Sequence, residues 1–293
     1  MKIWIPGGTG MLGTSFRNFY GGMHKTITTN SEMSIHSTYR MVMFAKQNKP
    51  DLIVNCAAYT NVDLAESSKN LAKFINRNGA MNVAIAANMF GSQAIHFSTD
   101  YVFNGEEGPY NEYAKTSPLN HYGKTKLDGE NRFIPLIEKG FIVRTSWLFS
   151  ETHNNFLKTM LGLFDTKSEI HVVDDQFGSP TYAPWLAKTT HELWKVGTKE
   201  PVIHITNKGS ASWYEFAKEI YEVGSEIGLV DSKVKITPVS TERSLPRKAF
   251  RPKNSVLDTS LVERHVGTLM DWREGVRICL ENIKKEKDNV EIS

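Results

Sequence analysis

The stretch KIWIPGGTGMLG, residues 2–13, decides how the rest of the chain is read. KIWI is a short apolar run suited to a buried strand, and TSFRNFY beyond it can continue as a helix. Between them Gly7, Gly10 and Gly13 recur at a spacing of three residues. A strand that turns through glycines directly into a helix is the arrangement that cradles a pyrophosphate. The first glycine permits the tight turn, the second lets backbone approach the phosphates, and the third brings helix and sheet together. Amide N–H groups at the helix start then face the negative charge. Thr9, Met11 and Leu12 join the three glycines as candidate cofactor contacts. A glycine-rich turn without a ligand is the plainer alternative, and the strand–loop–helix context argues against it.

Three further segments resemble buried strands: DLIVNCAA (51–58), QAIHFSTDYVF (93–103) and GFIVRTSWLF (140–149). Between them, residues 70–91 carry Leu71, Phe74, Ile75, Met81, Ile85 and Met89 at helical spacing, which predicts a helix with these on its apolar face. Strand–helix alternation predicts an α/β protein, a Rossmann-type doubly wound parallel sheet over residues 1–150. A smaller C-terminal α/β substrate-binding domain is expected over 151–293, with a return to the first domain around 170–195. In this second part, Ser212 is a candidate helix cap, and ERSLPRKAFRPKNSVLD (242–258) reads as a basic, proline-punctuated loop. The charged tail IKKEKDNVEIS (283–293) is expected to fray.

Composition narrows the function. At 293 residues the chain passes the size at which a single core stops growing. A net charge of +3 is too small to predict a nucleic-acid partner. Two cysteines, Cys56 and Cys279, make no disulfide framework, and the nine histidines show no metal-ligand spacing. Pro6 and the early glycines break any signal-peptide pattern, and no apolar run approaches the ~18 residues needed to span a bilayer. A cytoplasmic protein without membrane contact is expected.

The G-x-x-G-x-x-G spacing, followed by NCAA and by Tyr122 four residues before Lys126, resembles the extended short-chain dehydrogenase/reductase family. The segments STDYVF, PLNHYGKTKLDGE, VRTSWLF, NNFLKTML, DDQFGSPTY and RPKNSVLD are similar to its keto-sugar reductases, and the likeness covers most of the chain. The resemblance implies reduction of the C4 ketone of a nucleotide-linked 4-keto-6-deoxy sugar. The expected substrate is dTDP-4-dehydro-L-rhamnose and the product dTDP-L-rhamnose.

Chemistry makes the assignment specific. Residues four apart on a helix share a face, so Tyr122 and Lys126 can act together. Ketone reduction needs a hydride donor and an acid that releases its proton as the alkoxide forms. A phenol of pKa ~10 is lowered by a neighbouring ammonium. By resemblance, Lys126 also holds the nicotinamide ribose, Thr99 orients the substrate carbonyl, and Asp100 touches sugar hydroxyls. Trp147 lines the sugar pocket, and Phe97, Ala57, Ala58 and Tyr59 meet the nicotinamide half of the cofactor. Asn155 lies in a segment that contacts substrate or orders the domain junction in relatives, and Arg251, in the basic run Arg243, Arg247, Lys248, Arg251 and Lys253, is the best candidate to grip the substrate's phosphates. For Trp147, core packing is nearly as good a reading.

Thr29, Asn30 and Ser31 stand where an NAD-preferring enzyme would place an acid, with Glu32 slightly late and Arg17 or Lys25 able to lend charge. NADPH is the expected cofactor, with NADH use possible. Relatives can carry a glutamate after the glycine loop that helps bind magnesium at a dimer interface. Thr14, Ser15 and Phe16 stand here instead, so no metal is expected, and a homodimer is possible. Two alternatives stay open: a UDP- or GDP-linked sugar as substrate, or a regulatory subunit similar to that of methionine adenosyltransferase.

Overall fold

The computed structural model describes residues 1–244 and 247–291. Leu245 and Pro246 of the basic loop, and the last two residues of the tail, lie outside the described residues. Six parallel strands form the central sheet in the order Val202–His204, Gly140–Thr145, Gln93–Thr99, Leu52–Asn55, Lys2–Pro6, Lys25–Thr29. The apolar runs of the inner strands follow from burial on both faces, whereas the edge strand Lys25–Thr29 is mainly polar and mostly half-buried. Side chains alternate between two cores with the period of a strand. Ile3, Ile5, Leu52 and Val54 pack with Leu12, Phe16, Leu186 and Val262. Trp4, Ile53 and Ala94 pack on the opposite face with Met41, Val83 and Phe133.

The strand order reverses between Lys2–Pro6 and Leu52–Asn55. At such a reversal the loops leaving the two carboxyl ends diverge and open a crevice. Gly7 sits there with φ at +77°, in the left-handed region, and a β carbon on it would lie 2.6 Å from Ala57 N. The glycine loop and the NCAA segment therefore touch directly. Gly13 rests equally closely on Gly8 one turn into the helix Met11–Tyr20.

A smaller lobe gathers the helices Phe156–Thr166, Trp213–Glu226 and Trp272–Glu291 around Phe149, Phe164, Phe216, Trp272 and Leu280. Ser212 caps the middle helix through a reciprocal box with Glu215. Glu169–Val173 pairs with Lys235–Val239 inside the small lobe, while Ala183–Val196, the edge strand Val202–His204 and the residues Val262 and Leu269 pack with the large one.

Two expectations are corrected. The helix expected over 70–91 is interrupted by a π-turn at Phe74–Asn78. Its predicted apolar row is partly outside: Leu71, Phe74 and Met89 are exposed, while Ala72, Ala80, Val83, Ala84 and Ala87 are buried. The inserted residue shifts the helical phase, and the small side chains let the helix lie close to the sheet. The tail forms helix to Glu291, because Val276, Cys279, Leu280 and Ile283 give it a buried stripe.

Candidate active site

A cleft of about 530 Å³ opens at the reversal in strand order. Gly10, Met11 and Leu12 line one end, Ala57, Ala58 and Thr60 one side, and Trp147, His153 and Asn154 the small-lobe side. Phe97, Ser98, Thr99, Asp100, Tyr122, Lys126 and Thr145 form its floor. The helix Met11–Tyr20 begins without a side-chain cap, which leaves its first N–H groups for a ligand. Ser98 Oγ and Thr145 Oγ1 are buried in the floor without a hydrogen-bond partner among the described residues.

The helix His121–Phe133 starts where Asn120 accepts from Gly123 N at 2.8 Å, and it presents Tyr122 and Lys126 to the floor. Lys126 is buried, and its ammonium donates to the Phe97 carbonyl. Burial pushes its pKa down to about 8, against the opposing pull of Glu130. The expected lowering of the phenol does not occur. Burial pushes Tyr122 up to about 12; the Thr99 hydroxyl acts against this, and Asp100 adds to it. Lys126 donates to the Phe97 carbonyl and is not among the groups that act on the phenol, so burial prevails.

Thr99 ends its strand beside Asp100. Its hydroxyl donates to Asp100 Oδ1 at 2.9 Å and accepts from Tyr101 N at 3.2 Å. Asp100 is buried, and its second oxygen accepts from Ser255 Oγ at 2.6 Å. Desolvation raises this carboxyl to about 6, with the Ser255 and Thr99 hydroxyls pulling the other way.

Some expected residues serve the walls. Tyr59 gives its backbone to Asn76, whose side chain accepts from Tyr59 N at 2.8 Å and donates to Tyr59 O at 3.1 Å. Asn155 caps the helix Phe156–Thr166 and donates to Ser150 O and His153 O. Arg251 forks onto Asp63 at 3.2 and 2.7 Å, joining the C-terminal segment to the first domain. Thr9 donates its N–H to Asn30 Oδ1, and its carbonyl accepts from His153 at 2.6 Å. Trp147 has φ at +45° and stacks on Trp213 with centroids 3.5 Å apart.

Sequence reasoning missed Asn76, His153, Trp213 and Ser255. Only Ser255 lay in a segment singled out beforehand. The others carry no local motif and reach the site through the π-turn, a left-handed loop residue and a helix start.

A glycine-loop cleft at the reversal of a parallel sheet, with tyrosine and lysine on one helix face, defines a short-chain dehydrogenase/reductase of the extended type. A family profile described as RmlD substrate binding domain matches residues 1–285. The chain is 35% identical over 298 residues to a dTDP-4-dehydrorhamnose reductase of Escherichia coli K12, covering 97% of this chain and 98% of that one. It is 35% identical over 283 residues to the spore coat polysaccharide biosynthesis protein SpsK of Bacillus subtilis, covering 96% and 97%. A Bacillus anthracis dTDP-4-dehydrorhamnose reductase solved in complex with NADP superposes with a TM-score of 0.90 at 35% identity, covering 96% and 99%. The chain belongs to the dTDP-4-dehydrorhamnose reductase family, whose members are NAD(P)H-dependent oxidoreductases. No described helix is long and apolar enough to cross a membrane.

Proposed function

We propose that this protein reduces the C4 ketone of dTDP-4-dehydro-L-rhamnose to give dTDP-L-rhamnose, with NADPH as reductant. The observation that carries this reading is the meeting of Thr99, Tyr122 and Lys126 with the glycine loop in one cleft. When bound, the nicotinamide cofactor supplies the hydride that reaches the carbonyl carbon. The residues fit it: the uncapped helix start leaves N–H groups for a pyrophosphate, and the bare Gly7 lets the loop close against Ala57. The family likeness to an NADP-bound enzyme supports NADPH over NADH.

Tyr122 is the acid in this mechanism. With its pKa near 12 the phenol stays protonated at neutral pH, as a proton donor must. An alkoxide comparable in basicity to hydroxide (water pKa ~15.7) still takes that proton downhill. Lys126, with a pKa of about 8, is mainly cationic at pH 7 and can donate to ribose hydroxyls. Trp147 offers an aromatic face to the sugar. The nucleotide-binding unit then comprises residues 1–150 together with 183–205 and the stretch 260–269, and the small lobe grips the nucleotide sugar. Two free cysteines suit the reducing cytoplasm where NADPH is available.

The test is NADPH consumption with dTDP-4-dehydrorhamnose and with its UDP-linked counterpart, the product configuration being read by NMR. Turnover of the dTDP substrate to the L-rhamno product is expected. Preference for the UDP substrate, or no consumption with either, would overturn the reading.

A further inference from the structure

Asn55 ends its strand where the NCAA segment turns into the cleft, and its side-chain amide is held at both ends. Its Oδ1 accepts from Ala57 N at 3.2 Å, and its Nδ2 meets His96 Nδ1 at 2.9 Å. The Ala57 N–H can only donate, so the atom facing it must be the amide oxygen. The amide cannot be turned the other way round. Its Nδ2 carries two protons and accepts nothing. His96 Nδ1 is therefore the acceptor, and the imidazole proton sits on Nε2.

No other described group selects that tautomer. Nε2 is buried with no hydrogen-bond partner among the described residues. A buried N–H left unpaired is costly, yet the ring carries its proton there. Which nitrogen of a histidine holds the proton is set by the bond the other one makes, here to the Asn55 amide. Asn55 and His96 are paired residues of adjacent parallel strands, and both are buried. His96 also stacks on Phe133, with ring centroids 5.5 Å apart, from the helix that carries Tyr122 and Lys126. Burial and the Lys126 cation hold the ring neutral, well below the usual imidazole range.

The clasp ends at the glycine loop. Ala57 lines the cleft, and its N is the atom that a β carbon on Gly7 would meet at 2.6 Å. The N–H that Asn55 holds thus fixes how closely the loop can approach. We propose that His96 is a positioning residue for the nicotinamide cofactor: its bare Nδ1 holds the Asn55 amide, which holds Ala57 against the glycine loop. The inference rests on the reading of this cleft as the cofactor site.

The experiment combines NADPH titration, urea unfolding and nitrogen-15 NMR of His96 in the wild type, His96→Phe and His96→Asn. In the wild type, Nδ1 should resonate as a bare ring nitrogen and Nε2 as a protonated one at every pH at which the protein is folded. His96→Phe keeps a ring against Phe133 but offers no acceptor, so the Kd for NADPH should rise about tenfold. His96→Asn is smaller and leaves a gap, but its side-chain oxygen can take the place of Nδ1. It should unfold at lower urea and still bind NADPH as the wild type does. A packing role alone gives the opposite order, with affinity following the bulk at position 96. Equal Kd values in His96→Phe and wild type would overturn the proposal, and so would a wild-type His96 protonated on Nδ1. Should His96→Phe fail to fold, the tautomer and His96→Asn still decide, because a tenfold weaker Kd in His96→Asn overturns it. A wild type that binds no NADPH would instead remove the reading of the cleft itself, and this proposal with it.

Discussion

Gly178 turns its bare α carbon to the indole of Trp147, so closely that a β carbon there would lie 2.6 Å from Nε1. Trp147 has little room to yield, because its backbone is left-handed and its ring stacks on Trp213 at an interplanar angle of 7°. The Gly178→Ala substitution should push the indole off its stack. We expect the KM for the sugar nucleotide to rise about tenfold with a smaller change in kcat, and stability to fall by about 1–3 kcal/mol through overpacking. Steady-state kinetics and urea unfolding read the two effects; an unchanged KM would show that Trp147 does not shape the sugar site.

Tyr122→Phe should cost at least about 10²-fold in turnover, since the general acid is lost. NADPH affinity should stay within about twofold of wild type, because Lys126 and the glycine loop remain. Without cofactor, the Tyr122 phenol should stay protonated through pH 9, as its pKa is raised to about 12. The ultraviolet difference between wild type and Tyr122→Phe should therefore show no phenolate below pH 10. A phenolate signal at pH 8 would contradict the burial argument.

The Arg251–Asp63 pair predicts a pH-dependent contribution to stability. Burial alone would raise the Asp63 pKa, but the Arg251 fork and the Ala249 N–H outweigh it and hold the carboxyl below its usual value. A depressed folded pKa stabilises the fold above the unfolded value of ~3.9, and the effect is lost as pH falls through the folded value. Asp63 is 38% exposed, so solvent discounts the pair to roughly 1 kcal/mol. Asp63→Asn should be less stable than wild type by that amount at pH 7, and the gap should close toward pH 3. A gap of equal size at both pH values would show that the charge is not responsible.

His153 reaches from the small lobe to the Thr9 carbonyl and so ties the glycine loop across the cleft. Loss of a hydrogen bond worth about 1 kcal/mol should raise the Kd for NADPH about fivefold in His153→Ala. Stopped-flow fluorescence should show the change in the dissociation rate. Wild-type dissociation in this variant would show that the tie has no bearing on the cofactor.

What was legible in the sequence is local. The glycine loop, the strands buried on both faces and the Tyr122–Lys126 spacing each depend on residues within a few positions of one another. The walls of the site do not. Ser255 meets Asp100 across 155 residues, and Arg251 meets Asp63 across 188. No periodicity reports such pairings. The π-turn at Phe74–Asn78 rotates the side chains after it, which accounts for the exposed Met89, whereas Leu71 lies before it and is outside because Ala72 takes the buried position. The phenol pKa was missed for a related reason: the i, i+4 spacing of Tyr122 and Lys126 was visible, but the burial of the phenol was not.

The distance between Ser255 and Asp100 along the chain also orders the birth of the enzyme. During N-to-C synthesis, five of the six central strands emerge before residue 146, with the cofactor loop and Tyr122 among them. A nascent chain at that stage has the parts for a nucleotide fold but lacks the serine that hydrogen-bonds Asp100. The segment holding Arg251 and Ser255 leaves the ribosome near the end of translation and must dock backwards onto residues 63 and 100. The contacts that close this wall of the cleft are thus made late, when nearly the whole polypeptide is available to fold.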